Sequence, residues 1–121
     1  METLQAAKTF EALSHETRLA VFRLLIPAGP DGLSAGTIGE RLGLPANSLS
    51  FHLGRLAGAG LTRSRRQGRH LYYAVDYARL AEIVGYLADD CCAAVPEGCL
   101  QECPGAPLGV GGGCTTGREE R

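Results

Sequence analysis

A chain of 121 residues suffices for one modest domain that buries about two thirds of its unfolded surface, so a partner subunit would help stabilise it. With 45% hydrophobic residues, no tryptophan and a net charge of -1, the totals speak for an ordinary globular chain and against a membrane protein or a strongly basic nucleic-acid coat. The charge is unevenly placed: Arg41, Arg55, Arg63, Arg65, Arg66 and Arg69 fall between Arg41 and Val75 with no acid among them, so one face can be basic although the protein is not.

The opening stretch "METLQAAKTFEALSHETRLAVFRLL" carries charges every few residues and lacks the parts of a secretory signal. No run approaches the roughly 18 apolar residues of a membrane span. A cytosolic protein is expected, without membrane partners. Cytosolic thiols are kept reduced, so the odd set of Cys91, Cys92, Cys99, Cys103 and Cys114 points to metal binding or redox chemistry before disulfide stapling.

Helices come first along the chain. "LQAAKTFEAL" is followed by "HETRLAVFRLLI", for which Ser14 is the expected N-cap, Leu19, Phe22, Leu25 and Ile26 the apolar stripe, and "PAGPDG" the end. Ser34 caps a third helix, "SAGTIGERLG", which Gly43 stops. Pro45 opens "PANSLSFHLGRLAGAG", where Leu49, Leu53 and Leu56 stand at i, i+4 and i+7 and face a core. After Gly60 the period shortens: "LTRSRR" and "HLYYAV" alternate around "QGR", a hairpin whose Gly68 supplies positive φ and which places one of Tyr72 and Tyr73 in the core. From Tyr77 helical spacing returns, with Leu80, Ile83, Val84, Leu87 and Cys91 on one stripe. Beyond Pro96 the chain is Gly-, Pro- and Thr-rich, too poor in large apolar groups to fold alone, and is expected to be mobile.

The expected fold is mainly α (α+β): a winged helix-turn-helix of about five helices with a two-stranded β-hairpin wing. Residues 1–95 are expected to form this domain, and residues 96–121 a cysteine- and glycine-rich tail. Such a frame suits DNA, because the second helix of the pair can lie in a major groove about 12 Å wide while an arginine-bearing hairpin tracks phosphates. Opposite the leucines the fourth helix offers Asn47, Ser48, Phe51 and Arg55, with Ser50 and His52 on the flanks; Asn and Arg can read base edges and a phenyl edge can press on a thymine methyl. His52 is equally suited to DNA contact and to hydrogen-bonded helix packing. Arg65, Arg66 and Arg69 are the candidate phosphate ligands. Asp31, Asp76, Asp89 and Asp90 suit turns and helix ends better than catalysis.

"ALSHETRLAVFRLL", "TIGERLGLPANSLSFHLGRLAGAGL" and "RRQGRHLYYAV" together resemble the ArsR/SmtB family of metal-responsive repressors over most of residues 10 to 75. The resemblance implies a homodimer joined through its first and last helices, bound to double-stranded operator DNA and released by a metal or metalloid, with no enzymatic activity. One departure touches base preference: Phe51 precedes His52 where many relatives have two histidines. The third helix, "LSAGTIGERL", lacks the cysteine pair of many relatives, and "YARLAEIVGYLADD" lacks the histidines of zinc sensors.

The cysteines after residue 90 remain. Arsenite and antimonite are thiophilic and take three sulfur bonds in a pyramid. Cys91 and Cys92 are about 100° apart around a helix axis, and "PEGC" has the chemistry of a turn that brings Cys99 back toward them. Cys91, Cys92 and Cys99 are the expected ligands of As(III), and of Sb(III) as a second inducer, with Cys103 in reserve and Cys114 outside the set; arsenic-sensing relatives with a C-terminal cysteine trio support this as what the resemblance implies. Cys91 also continues the apolar stripe and could be a small core residue. No organic cofactor is called for. Two other readings stay open: a thiol redox or persulfide sensor on the same frame, and a metalloid carrier or reductase. The reductase reading lacks a Cys-x5-Arg anion loop.

Overall fold

The computed structural model describes residues 1–88, which fall into two units: Glu2–Asp76, and a second to which Met1 and the helix from Tyr77 belong. The elements of the first unit are α1 (Thr3–Leu13), α2 (Glu16–Leu25), a short 3-10 turn (Ile26–Ala28), β1 (Leu33–Ser34), α3 (Ala35–Leu42), α4 (Ala46–Gly58), β2 (Thr62–Gln67) and β3 (His70–Val75). Helix α5 (Tyr77–Ala88) brings the α-helices among the described residues to five, as expected for a winged helix-turn-helix. The expected boundary at residue 96 lies outside the described residues.

The α1–α2 joint departs from expectation by one residue. Ser14 closes α1, its backbone N–H and its hydroxyl both donating to the Glu11 carbonyl at 3.1 and 2.8 Å. The N-cap of α2 is therefore His15, whose Nδ1 accepts from the Thr17 N–H at 3.0 Å. The buried stripe of α2 is correspondingly Arg18, Val21, Phe22 and Leu25, at i, i+3, i+4 and i+7, while Leu19 is 44% exposed. The stripe begins on a charged residue, which an apolar count skips.

Arg18 is only 7% exposed and has no carboxylate partner among the described residues. Its Nε donates to the Ala12 carbonyl in the last turn of α1 at 2.6 Å, and its Nη1 to His52 Nδ1 on α4 at 3.3 Å. A buried cation is costly unless something answers it; here the carbonyl end of α1, the negative pole of that helix, does so. Because Nδ1 accepts, His52 is neutral with its proton on Nε2. Burial first, then the neighbouring His15 and Arg18, lower the His52 pKa below its ordinary value of 6.5. The His15 and His52 rings lie 4.6 Å apart.

The helix-turn-helix follows its sequence signals. The Ser34 hydroxyl accepts from the Thr37 N–H at 3.2 Å, and Gly43, at φ 67°, ends α3 in the left-handed conformation. A side chain at Gly39 would stand 3.2 Å from the Leu44 carbonyl, so the turn packs tightly on α3. Leu49, Leu53 and Leu56 of α4 meet Val21, Phe22, Leu25, Ile38 and Leu61 in a core where each is at most 3% exposed.

The wing is a hairpin with Gln67 opposite His70 and Gly68 at φ 65°. Its two strands are joined in one sheet by a third that the sequence does not signal: β1 pairs antiparallel with β3, Leu33 opposite Tyr73 and Ser34 opposite Tyr72, giving the order β1-β3-β2. Gly32, at φ 71°, makes this possible, since any side chain there would collide with the Tyr73 carbonyl. Tyr72 and Tyr73 are both half-buried, so neither fills the core alone. In α5, Leu80 and Ile83 are buried and Val84 half-buried, whereas Leu87 of the expected stripe is 65% exposed.

Arg18→Met should lower stability in urea by about 3 kcal/mol, because it leaves the Ala12 carbonyl and His52 Nδ1 unpartnered, and Arg18→Lys should restore little of it, lacking the forked geometry. Full recovery by lysine would contradict the two-point contact.

Stability should also fall on acidification. The unfolded chain protonates His52 near its ordinary pKa of 6.5 and the folded chain only at lower pH, so stability is complete above that value and is lost as pH drops below it. His52→Asn, which can set a carbonyl oxygen where Nδ1 stands, should flatten this part of the urea-midpoint profile; an unchanged profile would show that another group causes it.

Candidate nucleic-acid interface

Helix α4 sorts its side chains by the same spacing that builds the core. Asn47, Phe51 and Arg55, four residues apart, form an exposed line with Ser50 beside them, Ser48 is half-buried, and His52 is buried. Of the two uses open to His52, the structure places it in helix packing, where its Nδ1 accepts from Arg18. Phe51 is 58% exposed, unusual for so large an apolar group on a solvent face, and its ring edge rests against His52 with centroids 5.4 Å apart. The Arg55 guanidinium lies 5.8 Å from the Phe51 ring centre, close enough for the ring to restrict its range. Asn47 Oδ1 accepts from the Ser48 N–H at 2.9 Å, which leaves its amide NH2 outward. This line can donate to base acceptors and offer an apolar edge to a methyl group.

The wing arginines divide by strand face. Arg63 is ion-paired with Asp76 at 3.2 Å. Arg65, opposite Tyr72, donates to the Asp31 carbonyl at 3.1 Å and to Gln67 Oε1, and its guanidinium stacks 4.8 Å over the Tyr72 ring. It braces the wing against the loop before β1. Arg66, opposite Leu71 on the other face, and Arg69 in the turn are exposed and make no hydrogen bond or ion pair among the described residues. These two are the guanidinium groups free for phosphate.

Cys91, Cys92, Cys99 and Cys103, like Cys114, lie outside the described residues. Among the described residues no three His, Cys, Asp or Glu side chains converge as a metal site, and no helix is long and apolar enough to cross a membrane. The sequence pointed at every residue of the α4 line but missed Arg18, which holds that helix in place. A charged residue at an i-3 position to Val21 and i-4 to Phe22 was the available signal.

Comparison with known proteins agrees with this geometry. Residues 13–65 match the model of a helix-turn-helix domain family. The HTH-type transcriptional regulator YgaV of Escherichia coli is 33% identical over 88 residues, which is 73% of this chain and 87% of YgaV. The homodimeric winged helix-turn-helix DNA-binding domain Mb0332 of Mycobacterium bovis, described as a possible ArsR-family regulator, superposes with a TM-score of 0.57 at 30% identity, over 71% of this chain and 80% of that one. A possible transcriptional regulator for arsenical resistance superposes with a TM-score of 0.59 at 26% identity, over 66% of this chain and 80% of that one. With its helix-turn-helix, wing and relatives in agreement, the chain belongs to the winged helix-turn-helix transcriptional regulators, with ArsR-family proteins among its structural neighbours.

Proposed function

We propose that this regulator represses transcription as a homodimer on operator DNA and leaves it when As(III), or Sb(III), is bound by Cys91, Cys92 and Cys99. The observation that carries the reading is the division of donors: all five cysteines follow residue 90, while the DNA-facing groups of α4 and the wing contain none. Three thiolates are the donor set that a thiophilic, three-coordinate ion requires, and a zinc site rich in nitrogen and oxygen is not offered by the described residues. The homodimeric state of Mb0332 and the exposed Leu4 on α1 and Leu87 on α5 support assembly through the first and last helices. The neighbour named for arsenical resistance supports the effector class.

The cysteines all follow α5 in the chain and none belongs to α4 or the wing, so in this reading the ion acts through the dimer. It favours an arrangement in which the two reading heads no longer match half-sites spaced about one helical turn, ~34 Å, apart. A coupling of about 1–3 kcal/mol, 5- to 150-fold in affinity, is enough to release a moderately tight repressor.

The test is fluorescence anisotropy of the purified protein on its promoter DNA, with arsenite, zinc, cadmium and peroxide added in turn. Arsenite should release the DNA; Cys91→Ser, Cys92→Ser and Cys99→Ser should each bind DNA normally and ignore arsenite, and Cys114→Ser should behave as wild type. A normal response of the Cys99 variant with loss in the Cys103 variant would move the third ligand to Cys103. Release by peroxide and not by arsenite would replace the reading with a redox sensor.

A further inference from the structure

Between the helix-turn-helix and the wing lies a cavity of about 660 Å³, within the range of small-molecule sites. Leu49 and Leu53 of α4 are buried and form its floor, and Leu44, Leu71 and Tyr73 contribute further apolar wall. It exists because small residues line the α3 side: a Cβ added at Gly36 or at Gly43 would meet nothing within 4 Å. Glu40 is the single charged residue of the lining, is exposed, and makes no hydrogen bond or ion pair among the described residues. An apolar cleft with an unpaired carboxylate at its rim and a tyrosine ring in its wall complements a compound of one chemistry, an apolar body carrying a positive charge.

We propose that this cleft binds a small apolar cation and that occupancy opposes DNA binding, because α4 and β3, which form two of its walls, carry the reading line and the wing. The site is separate from the C-terminal thiols and would make the protein responsive to a second class of effector. Its binding step does not depend on the arsenite reading.

The probe is phenylbutylammonium, with phenylbutyrate as the oppositely charged control, titrated into the full-length protein and followed by amide chemical shifts in 15N spectra. Saturable shifts should appear at Gly36, Leu44, Leu71 and Tyr73, with the cation bound more tightly than the anion. Glu40→Gln should weaken the cation about two- to fivefold, the value of a largely exposed charge pair, and erase the preference over phenylbutyrate. Gly36→Leu, whose side chain enters open space, should abolish binding of both probes without lowering the melting temperature. In anisotropy on promoter DNA, saturating phenylbutylammonium should weaken wild type and leave Gly36→Leu unaffected. Unsaturable binding, shifts confined to other residues, or a cation preference that survives Glu40→Gln would overturn the site, and the spectra decide this even if Gly36→Leu does not fold. Binding at the cleft with unchanged DNA affinity would overturn the proposed opposition to DNA.

Discussion

The buried guanidinium of Arg18 is the contact on which the reading head depends. From α2 it reaches back to the Ala12 carbonyl at the end of α1 and across to His52 on α4, so one side chain joins three helices. With the α1 carbonyls answering its charge and the imidazole accepting its second hydrogen bond, His52 has to stay neutral and turned inward. That fixes the rotation of α4: four residues on one side are Leu49, His52, Leu53 and Leu56, and the opposite side is left to Asn47, Phe51 and Arg55. A hydrogen-bonded polar contact specifies rotation more sharply than leucine packing, which tolerates small slips.

Much of this was legible in the residues, and the failures share a cause. Ser34, Gly43, the i, i+4, i+7 leucines and Gly68 each act through a local rule of capping, handedness or periodicity, and each stands where the rule put it. Ser14 obeyed a rule too, but two helix ends competed for it and the C-terminus of α1 won, shifting the cap of α2 to His15. Counting apolar residues draws Leu19 into the stripe and leaves Arg18 out, because the burial of Arg18 depends on a carbonyl and a ring supplied by other helices. The two residues of β1 carry no strand signal of their own; they extend because Gly32 lets the chain approach Tyr73.

The candidate site shows the same division. An acid-free stretch containing six arginines points to a basic face, yet charge alone does not separate Arg65, engaged by Asp31, Gln67 and Tyr72, from Arg66 and Arg69, which make no hydrogen bond or ion pair among the described residues. Strand parity distinguishes Arg65 from Arg66, but which face is braced depends on the loop packed beside it.

The proposed division of labour has α4 reading bases while Arg66 and Arg69 of the wing hold phosphate. Its most direct test is the salt dependence of binding for single variants on the promoter site and on an unrelated duplex. Arg66→Ala and Arg69→Ala should weaken both duplexes alike and reduce the salt slope by about one unit each. Asn47→Ala and Arg55→Ala should lose about 1–3 kcal/mol chiefly on the promoter site. Equal losses on both duplexes for all four variants would contradict the account.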